Sequence, residues 1–369
     1  MKIGVISDTH SDRANALPHI MKRFEISGVE TIIHCGDIEA RHINPKRFND
    51  VPVVCALNEE QLGKPAFQKP PPGWTFTYPG KRVLDIGHVR MYVGHKRAFE
   101  FLAGSEEELV KTINQLRRDY DGLRWMCSGH THHQILLQTK LVNFINPGAV
   151  EDSLDGYEFA IIDTENDEIV FSRIPRTKPS SETFSVGIIS DSLNISKLDP
   201  DFWKKLAVEL KARDAGYIIH CGNIAPEDIG REELHDFEVH FYLRPWQINR
   251  AAPPNCRAAP PNWKQILPDN WTVEINGYQF YVHLDLALHL FAQSEIDMQK
   301  YCIEVKRENP YVSYILFGCT NDAFLEESEQ VRIINPGDIA NSRTFSVICL
   351  PRNEITFGHV PVDPLPLVE

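Results

Sequence analysis

The strongest constraint on what this 369-residue chain can fold into is an internal repeat. "MKIGVISDTHSD" from Met1 returns as "FSVGIISDSLN" from Phe184, and "TIIHCGDIEA" from Thr31 returns as "YIIHCGNIAP" from Tyr217. "VRMYVGH" from Val89, "WMCSGHTH" from Trp125 and "NFINPG" from Asn143 are matched by "YQFYVHL" from Tyr278, "ILFGCTN" from Ile315 and "RIINPG" from Arg332. Equivalent residues stand 183 apart at Asp8 and Asp191, 186 apart at Asp37 and Asn223, and 189 apart at Asn146 and Asn335. The order is kept and the insertions are small, so the chain holds two structural units of one kind, each of ordinary domain size.

Within the first copy, "KIGVISD", "TIIHCGD", "VPVVCALN", "VRMYVGH", "RWMCSGH", "LVNFINP" and "YEFAIIDT" predict strands, several apolar enough to be buried on both faces. "ANALPHIMKRFEI" and "SEEELVKTINQLRRDY" carry helical periodicity, the latter with Ser105 as N-cap and acidic residues in its first turn. The layout is α/β with mixed sheets. Arg173 to Glu182, rich in Pro, Ser and charge, reads as a linker, which predicts domains at 1–177 and 183–369. Two Pro-rich insertions, Gln61 to Gly80 and Trp246 to Gly277, break the pattern at matching places and carry exposed-looking tryptophans. Such loops either rim a site or pack against the core.

The 42% hydrophobic and 24% charged content is that of a globular soluble chain. Strand-like residues begin at Lys2 without a signal-peptide pattern ahead of them, and no apolar run is long enough to span a bilayer. The eight cysteines form no CxxC pair, and Cys35, Cys55, Cys127 and Cys349 sit in apolar runs, as buried thiols of a reducing cytoplasm do. Residues 1–180 hold 22 Lys+Arg against 24 Asp+Glu, leaving 16 against 27 for the rest of a chain whose net charge is −13. That balance argues against non-specific duplex DNA binding, which needs clustered cations.

The polar residues at the ends of the first copy's strands are Asp8, His10, Asp37, Asn58, His95, His130 and His132. Strand ends of an open α/β sheet converge on one crevice. A lone histidine there is usually a hydrogen-bonded core residue, but two carboxylates, an amide and four imidazoles together suit two divalent ions of the Mn²⁺, Fe²⁺ or Zn²⁺ kind. In "DTH", "GD", the Asn of "LNEE", the His of "VGHKR" and "GHTH", the first copy resembles the calcineurin-like metallophosphoesterases. With "INPG" it resembles their compact YfcE-like phosphodiesterase branch, to which a non-catalytic retromer subunit also belongs.

That resemblance implies two tandem four-layer α/β/β/α sandwiches, with Asp8, His10, Asp37 and His132 on one metal and Asp37, Asn58, His95 and His130 on the other. It further implies a cytoplasmic phosphodiesterase using a metal-bridging hydroxide, with manganese first among metals and iron, zinc or nickel as alternatives, acting on a small phosphodiester or nucleotide. Two positions depart from the family pattern. Glu59 stands where many members carry a histidine that helps protonate the leaving group, and Arg97 replaces an imidazole, where it either grips phosphate or pairs with a carboxylate. Asn58 and Arg97 are the candidate substrate contacts.

In the second copy the ligand positions read Leu193, Asn223, Arg244, Leu284, Cys319 and Asn321, with Asp191 alone retained. This half is expected to be a degenerate pseudoenzyme module, docked on the first as a partner subunit would be, in a pseudo-twofold monomer. The competing expectation is a non-catalytic scaffold with a vestigial metal pocket.

Overall fold

The computed structural model describes residues 1–12, 15–96, 115, 118–139, 142–151, 156–175, 182–243, 259–267, 271–283, 295–318, 320, 322–327 and 331–362. In the first half lie β1 (Lys2–Ile6), β2 (Thr31–His34), β3 (Val53–Ala56), β4 (Trp74–Thr77), β5 (Val83–Ile86), β6 (Val89–Val93), β7 (Leu123–Cys127), β8 (Gln134–Gln138), β9 (Asn143–Pro147), β10 (Gly156–Asp163) and β11 (Glu168–Pro175). In the second lie β12 (Phe184–Ile189), β13 (Ala215–His220), β14 (Glu238–Tyr242), β15 (Trp263–Ile266), β16 (Thr272–Ile275), β17 (Tyr278–Val282), β18 (Val312–Leu316), β19 (Ala323–Glu327), β20 (Arg332–Asn335), β21 (Thr344–Leu350) and β22 (Glu354–His359).

These strands form two sheets, and each runs through both halves. The twelve-stranded sheet has the order β15-β14-β13-β12-β21-β22-β11-β10-β1-β2-β3-β4 and the ten-stranded sheet the order β16-β17-β18-β20-β19-β8-β9-β7-β6-β5. Both orders are palindromes: exchanging each strand for its counterpart in the other half returns the same sheet reversed. The seams obey the same rule. β11 pairs antiparallel with β22, its counterpart, and Val170 faces its own equivalent Thr356. β8 pairs antiparallel with β19, and Leu136 faces its equivalent Leu325.

The main core lies between the sheets and draws on both halves, with Val5, Trp125, Leu136, Leu325 and Phe357 among its fully buried members. Helices cover the outer faces. Helix Leu17–Ser27 buries Leu17, Ile20, Met21 and Phe24 at helical spacing and ends at Gly28, whose φ of 73° turns the chain out. Phe24 lies flat on β1 because Gly4 has no side chain there; a Cβ would sit 2.6 Å from the ring. Helix Phe202–Lys211 does the same in the second half with Phe202, Trp203, Leu206 and Leu210, and helix Glu295–Glu308 packs Cys302 and Val305 on the ten-stranded sheet. The layers are therefore helix, sheet, sheet, helix.

Three expectations need correction. The Gln61 to Gly80 insertion is not all loop, since Trp74–Thr77 is a parallel edge strand beside β3, and Trp263–Ile266 plays the same part beside β14. Trp74 and Trp263 are buried rather than exposed, Trp74 meeting Phe48 edge-on at 5.0 Å, whereas Trp271 is half-buried and Trp246 lies outside the described residues. Arg173 to Pro175 belong to β11, and Arg173 is buried, so the linker read from composition begins too early. The helix expected after Ser105 lies mostly outside the described residues. Cys35, Cys55 and Cys127 are buried thiols, and no helix among the described residues is long and apolar enough to cross a membrane.

Candidate metal centre

β1, β2, β6 and β7 all end at one rim of the sandwich, and the loops after them are tied to each other. Asp8 N donates to Gly36 O at 3.1 Å, His10 N to Asp37 O at 2.9 Å, and Gly129 N to His95 O at 3.1 Å. Asp8, His10, Asp37, His130 and His132 have φ of 52°, 36°, 53°, 78° and 60°. Left-handed backbone at a residue with a Cβ costs about 1–2 kcal/mol each, so the hydrogen-bonded loops hold these side chains in aimed positions against a local preference. Gly36, at φ 120°, is required for a second reason: a Cβ there would lie 2.7 Å from the His95 ring.

The result is two groups of ligand-type side chains, Asp8 with His10 and His132, and Asp37 with His95 and His130, the donor atoms of each lying within 4.8 Å of one another. Asp37 Oδ2 is 3.2 Å and Asp8 Oδ1 3.9 Å from His95 Nε2, so His95 stands between the groups. Its Nδ1 hydrogen-bonds to the Cys35 carbonyl at 3.0 Å, which commits Nε2 to the centre. His132 Nε2 lies 3.3 Å from Asp8 Oδ1 and 3.4 Å from His10 Nε2. Despite these approaches, Asp8 Oδ1 and His95 Nε2 are buried without a well-aligned hydrogen-bond partner. Crowded oxygen and imidazole lone pairs of this kind are the donor set a divalent cation satisfies, so these residues fit two such ions.

The protonation states suit the same purpose. Burial opposes ionisation of Asp8, but the His132 and His95 imidazoles outweigh it and hold the carboxyl below its usual range. Contact with His95 holds Asp37 down at about 2. Burial, reinforced by His95, lowers His130 and keeps it neutral.

Asn58 is near but differently engaged. It caps helix Glu59–Leu62, its Oδ1 accepting from Gln61 N at 2.9 Å while Gln61 Oε1 accepts from Asn58 N, and its Nδ2 is 3.5 Å from Asp37 Oδ1. Presenting Oδ1 to a metal requires the amide to turn and release that cap. Glu59 is exposed at the helix start. Arg97 lies outside the described residues.

Two supports were not read from the sequence. Glu151 accepts from Ser11 N at 2.8 Å and Ser11 Oγ at 2.9 Å, bracing the loop that follows His10. Asn146 Nδ2 donates to Gly129 O at 3.1 Å and Thr131 Oγ1 at 2.8 Å, buttressing the "GHTH" loop, while its Oδ1 accepts from Gly148 N. The doubled "INPG" was the available signal for Asn146: Asn335 holds Thr320, Asp322 O and Gly337 N in the same manner.

In the second half, Asp191 and Asn223 keep the left-handed backbone at 57° and 56°. There the Asp191 carboxylate accepts from Asn223 Nδ2 and, at 2.6 Å, from Ser190 Oγ. Leu193 is half-buried; Arg244, Leu284, Cys319 and Asn321 lie outside the described residues. Among the described residues both ligand groups belong to the first half.

Comparison with known proteins finds relatives that each cover less than half of this chain. The chain is 31% identical over 152 residues to a probable metallophosphoesterase of Methanocaldococcus jannaschii, covering 40% of this chain and 68% of the relative. It is 29% identical over 178 residues to a phosphodiesterase of that archaeon, covering 46% and 96%. A solved archaeal phosphodiesterase superposes with a TM-score of 0.37 at 22% identity, covering 47% of this chain and 100% of its own, and a Vps29 variant from Entamoeba histolytica with 0.34 at 18%, covering 49% and 96%. A family profile described as the calcineurin-like phosphoesterase superfamily domain matches residues 1–167, the stretch that supplies Asp8 through His132. The chain belongs to the calcineurin-like phosphoesterase superfamily.

Proposed function

We propose that residues 1–177 form a cytoplasmic phosphodiesterase domain holding two divalent ions, and residues 183–369 a degenerate copy docked on it about a pseudo-twofold axis. The observation that carries this reading is the pair of ligand groups meeting around His95, with buried Asp8 Oδ1 and His95 Nε2 lacking aligned partners. Asp8, His10, Asp37 and His132 would hold one ion, and Asp37, Asn58, His95 and His130 the other, with manganese the first choice. When bound, two such ions make a nucleophile of water near neutral pH and stabilise phosphoryl oxygens.

The chain's own groups do the positioning. Asp8 and Asp37, kept ionised, supply the negative charge that holds the centre together. Neutral His130 offers a lone pair rather than a competing charge. Asn58, by turning from its capping contact, can reach either an ion or a substrate oxygen. The half-buried rim suits a small phosphodiester or nucleotide, and the acidic balance of the chain disfavours long duplexes.

The test is Asp37→Ala with bound metal and diester hydrolysis measured together. Both should fall at least a hundredfold in activity and by most of the bound metal, because neutralisation of two neighbouring cations is lost at once. Wild-type metal content and rate in that variant would overturn the assignment. A wild-type protein that binds Mn²⁺ fully yet hydrolyses no diester would favour the scaffold reading instead.

A further inference from the structure

The two copies act as controls for one another, because whatever the fold alone requires at the rim should persist in the half that has lost its ligands. Much of it does. His34 Nε2 lies 3.0 Å from Thr9 Oγ1 while its Nδ1 accepts from Gly36 N at 3.2 Å, and His220 repeats both contacts with Ser192 and Gly222. The bonds Asp8 N to Gly36 O and Val150 N to Ser7 O reappear as Asp191 N to Gly222 O and Ile339 N to Ser190 O. Asn146 and Asn335 hold their loops alike.

One set of contacts is confined to the first copy. Ser11, next in the chain to His10, is gripped at each of its polar groups. Its N and Oγ donate to the Glu151 carboxylate at 2.8 and 2.9 Å, and its carbonyl accepts from Arg41 Nη2 at 2.9 Å and from His42 Nε2 at 3.0 Å. The corresponding residues of the second copy are Asn194 for Ser11, Ala340 for Glu151, Glu227 for Arg41 and Asp228 for His42. They cannot repeat the grip, since an alanine side chain accepts nothing and ionised carboxylates have no proton to give a carbonyl. Asp228 is turned to other partners, Ser196 Oγ and Arg231.

The backbone changes with the contacts. His10 has a φ of 36°, a left-handed conformation that costs about 1–2 kcal/mol, whereas its counterpart Leu193 is not left-handed and the turn has moved to Asn194, at 65°. The rim therefore folds without the clasp. What accompanies the clasp is the unfavourable backbone at His10, whose ring joins Asp8 and His132 in one ligand group.

We propose that Glu151, with Arg41 and His42, is a positioning residue for His10: by clasping Ser11 it holds that ring on its metal ion. This rests on the two-ion reading above.

The experiment uses the full chain, stripped of metal by chelation and titrated calorimetrically with Mn²⁺. Wild type should take up two ions. In Glu151→Ala one of them should bind about tenfold more weakly, as loss of an outer support of a ligand does, and the other as before. Glu151→Gln keeps an oxygen to accept from Ser11 but carries no charge, and should restore affinity to within about twofold of wild type. A Gln variant as weak as the Ala variant would mean that the carboxylate acts by its charge, and would overturn the proposal. In a His10→Ala background, Glu151→Ala should change the remaining Mn²⁺ affinity no further, because its effect passes through His10; a further tenfold loss there also overturns it. Ser11→Ala, a smaller change that removes only the hydroxyl contact, should weaken the same ion and serves where Glu151→Ala does not fold. Two ions bound at undiminished affinity in these variants overturn the clasp alone. Fewer than two ions in wild type overturn the two-ion reading, and the clasp with it.

Discussion

Glu59 is exposed at the start of its helix and is not held as a positioned proton donor for the leaving group. Cleavage should therefore depend steeply on the leaving group. Aryl diesters should be hydrolysed about 10²–10⁴ times faster than alkyl monoesters, and a flat rate across leaving groups of widely different pKa would show that an acid is present elsewhere. A second residue-scale prediction concerns His220. Its Nε2 is 2.8 Å from Ser192 Oγ and its Nδ1 accepts from Gly222 N at 3.2 Å, so both nitrogens are used and the ring is neutral. Burial pushes its pKa from 6.5 down to about 3. The unfolded chain takes up the proton near pH 6.5 and the folded chain does not, so stability is complete above that pH and falls as pH drops toward 3, by about 1.4 kcal/mol per unit. Urea midpoints measured across this window should fall less steeply in His220→Gln, and an unchanged slope would contradict the linkage. At this scale the clustering of Asp8, His10 and His132 and of Asp37, His95 and His130 was legible, because carboxylates and imidazoles stand together at strand ends. Glu151 was not, because bracing a loop 140 residues away leaves no local pattern, and the doubled "INPG" marked Asn146 without showing which loop it braces.

At the scale of elements, apolar runs announced β1, β2, β3, β6, β7, β9 and β10, whereas β4, β5, β8 and β11 carry weaker signals. Trp74–Thr77 follows a run of prolines and buries three of its four residues against β3 and Phe48, contacts that composition does not display. The seams were the least legible part. Edge pairing depends on register between strands almost two hundred residues apart, although the repeat implied that any such pairing would be symmetric. Leu136 and Leu325 face each other across one seam and are fully buried in the core between the sheets. Leu325→Ala should cost about 2–5 kcal/mol and should lower the unfolding of both halves together. A separate, earlier transition for the second half alone in calorimetry would instead mean that the seam does not couple them.

For the whole molecule, two continuous sheets and one shared core make the covalent link between the halves unnecessary for their association. Cutting the chain between residues 176 and 181 should leave fragments that co-elute on gel filtration and part only in denaturant; fragments that separate at once would refute this. Arg213 to Glu168 and Arg23 to Glu354 add ion pairs across the same boundary. The palindromic strand order carries a further consequence, for how such a molecule can change over time. In a dimer of identical subunits every mutation appears twice, once on each side of the axis, so neither side can acquire a property without its twin. Joined in one gene, the two sides of the axis are edited independently. One could keep its ligands and the contacts that aim them while the other let both go, a division of labour that identical subunits have no means to inherit.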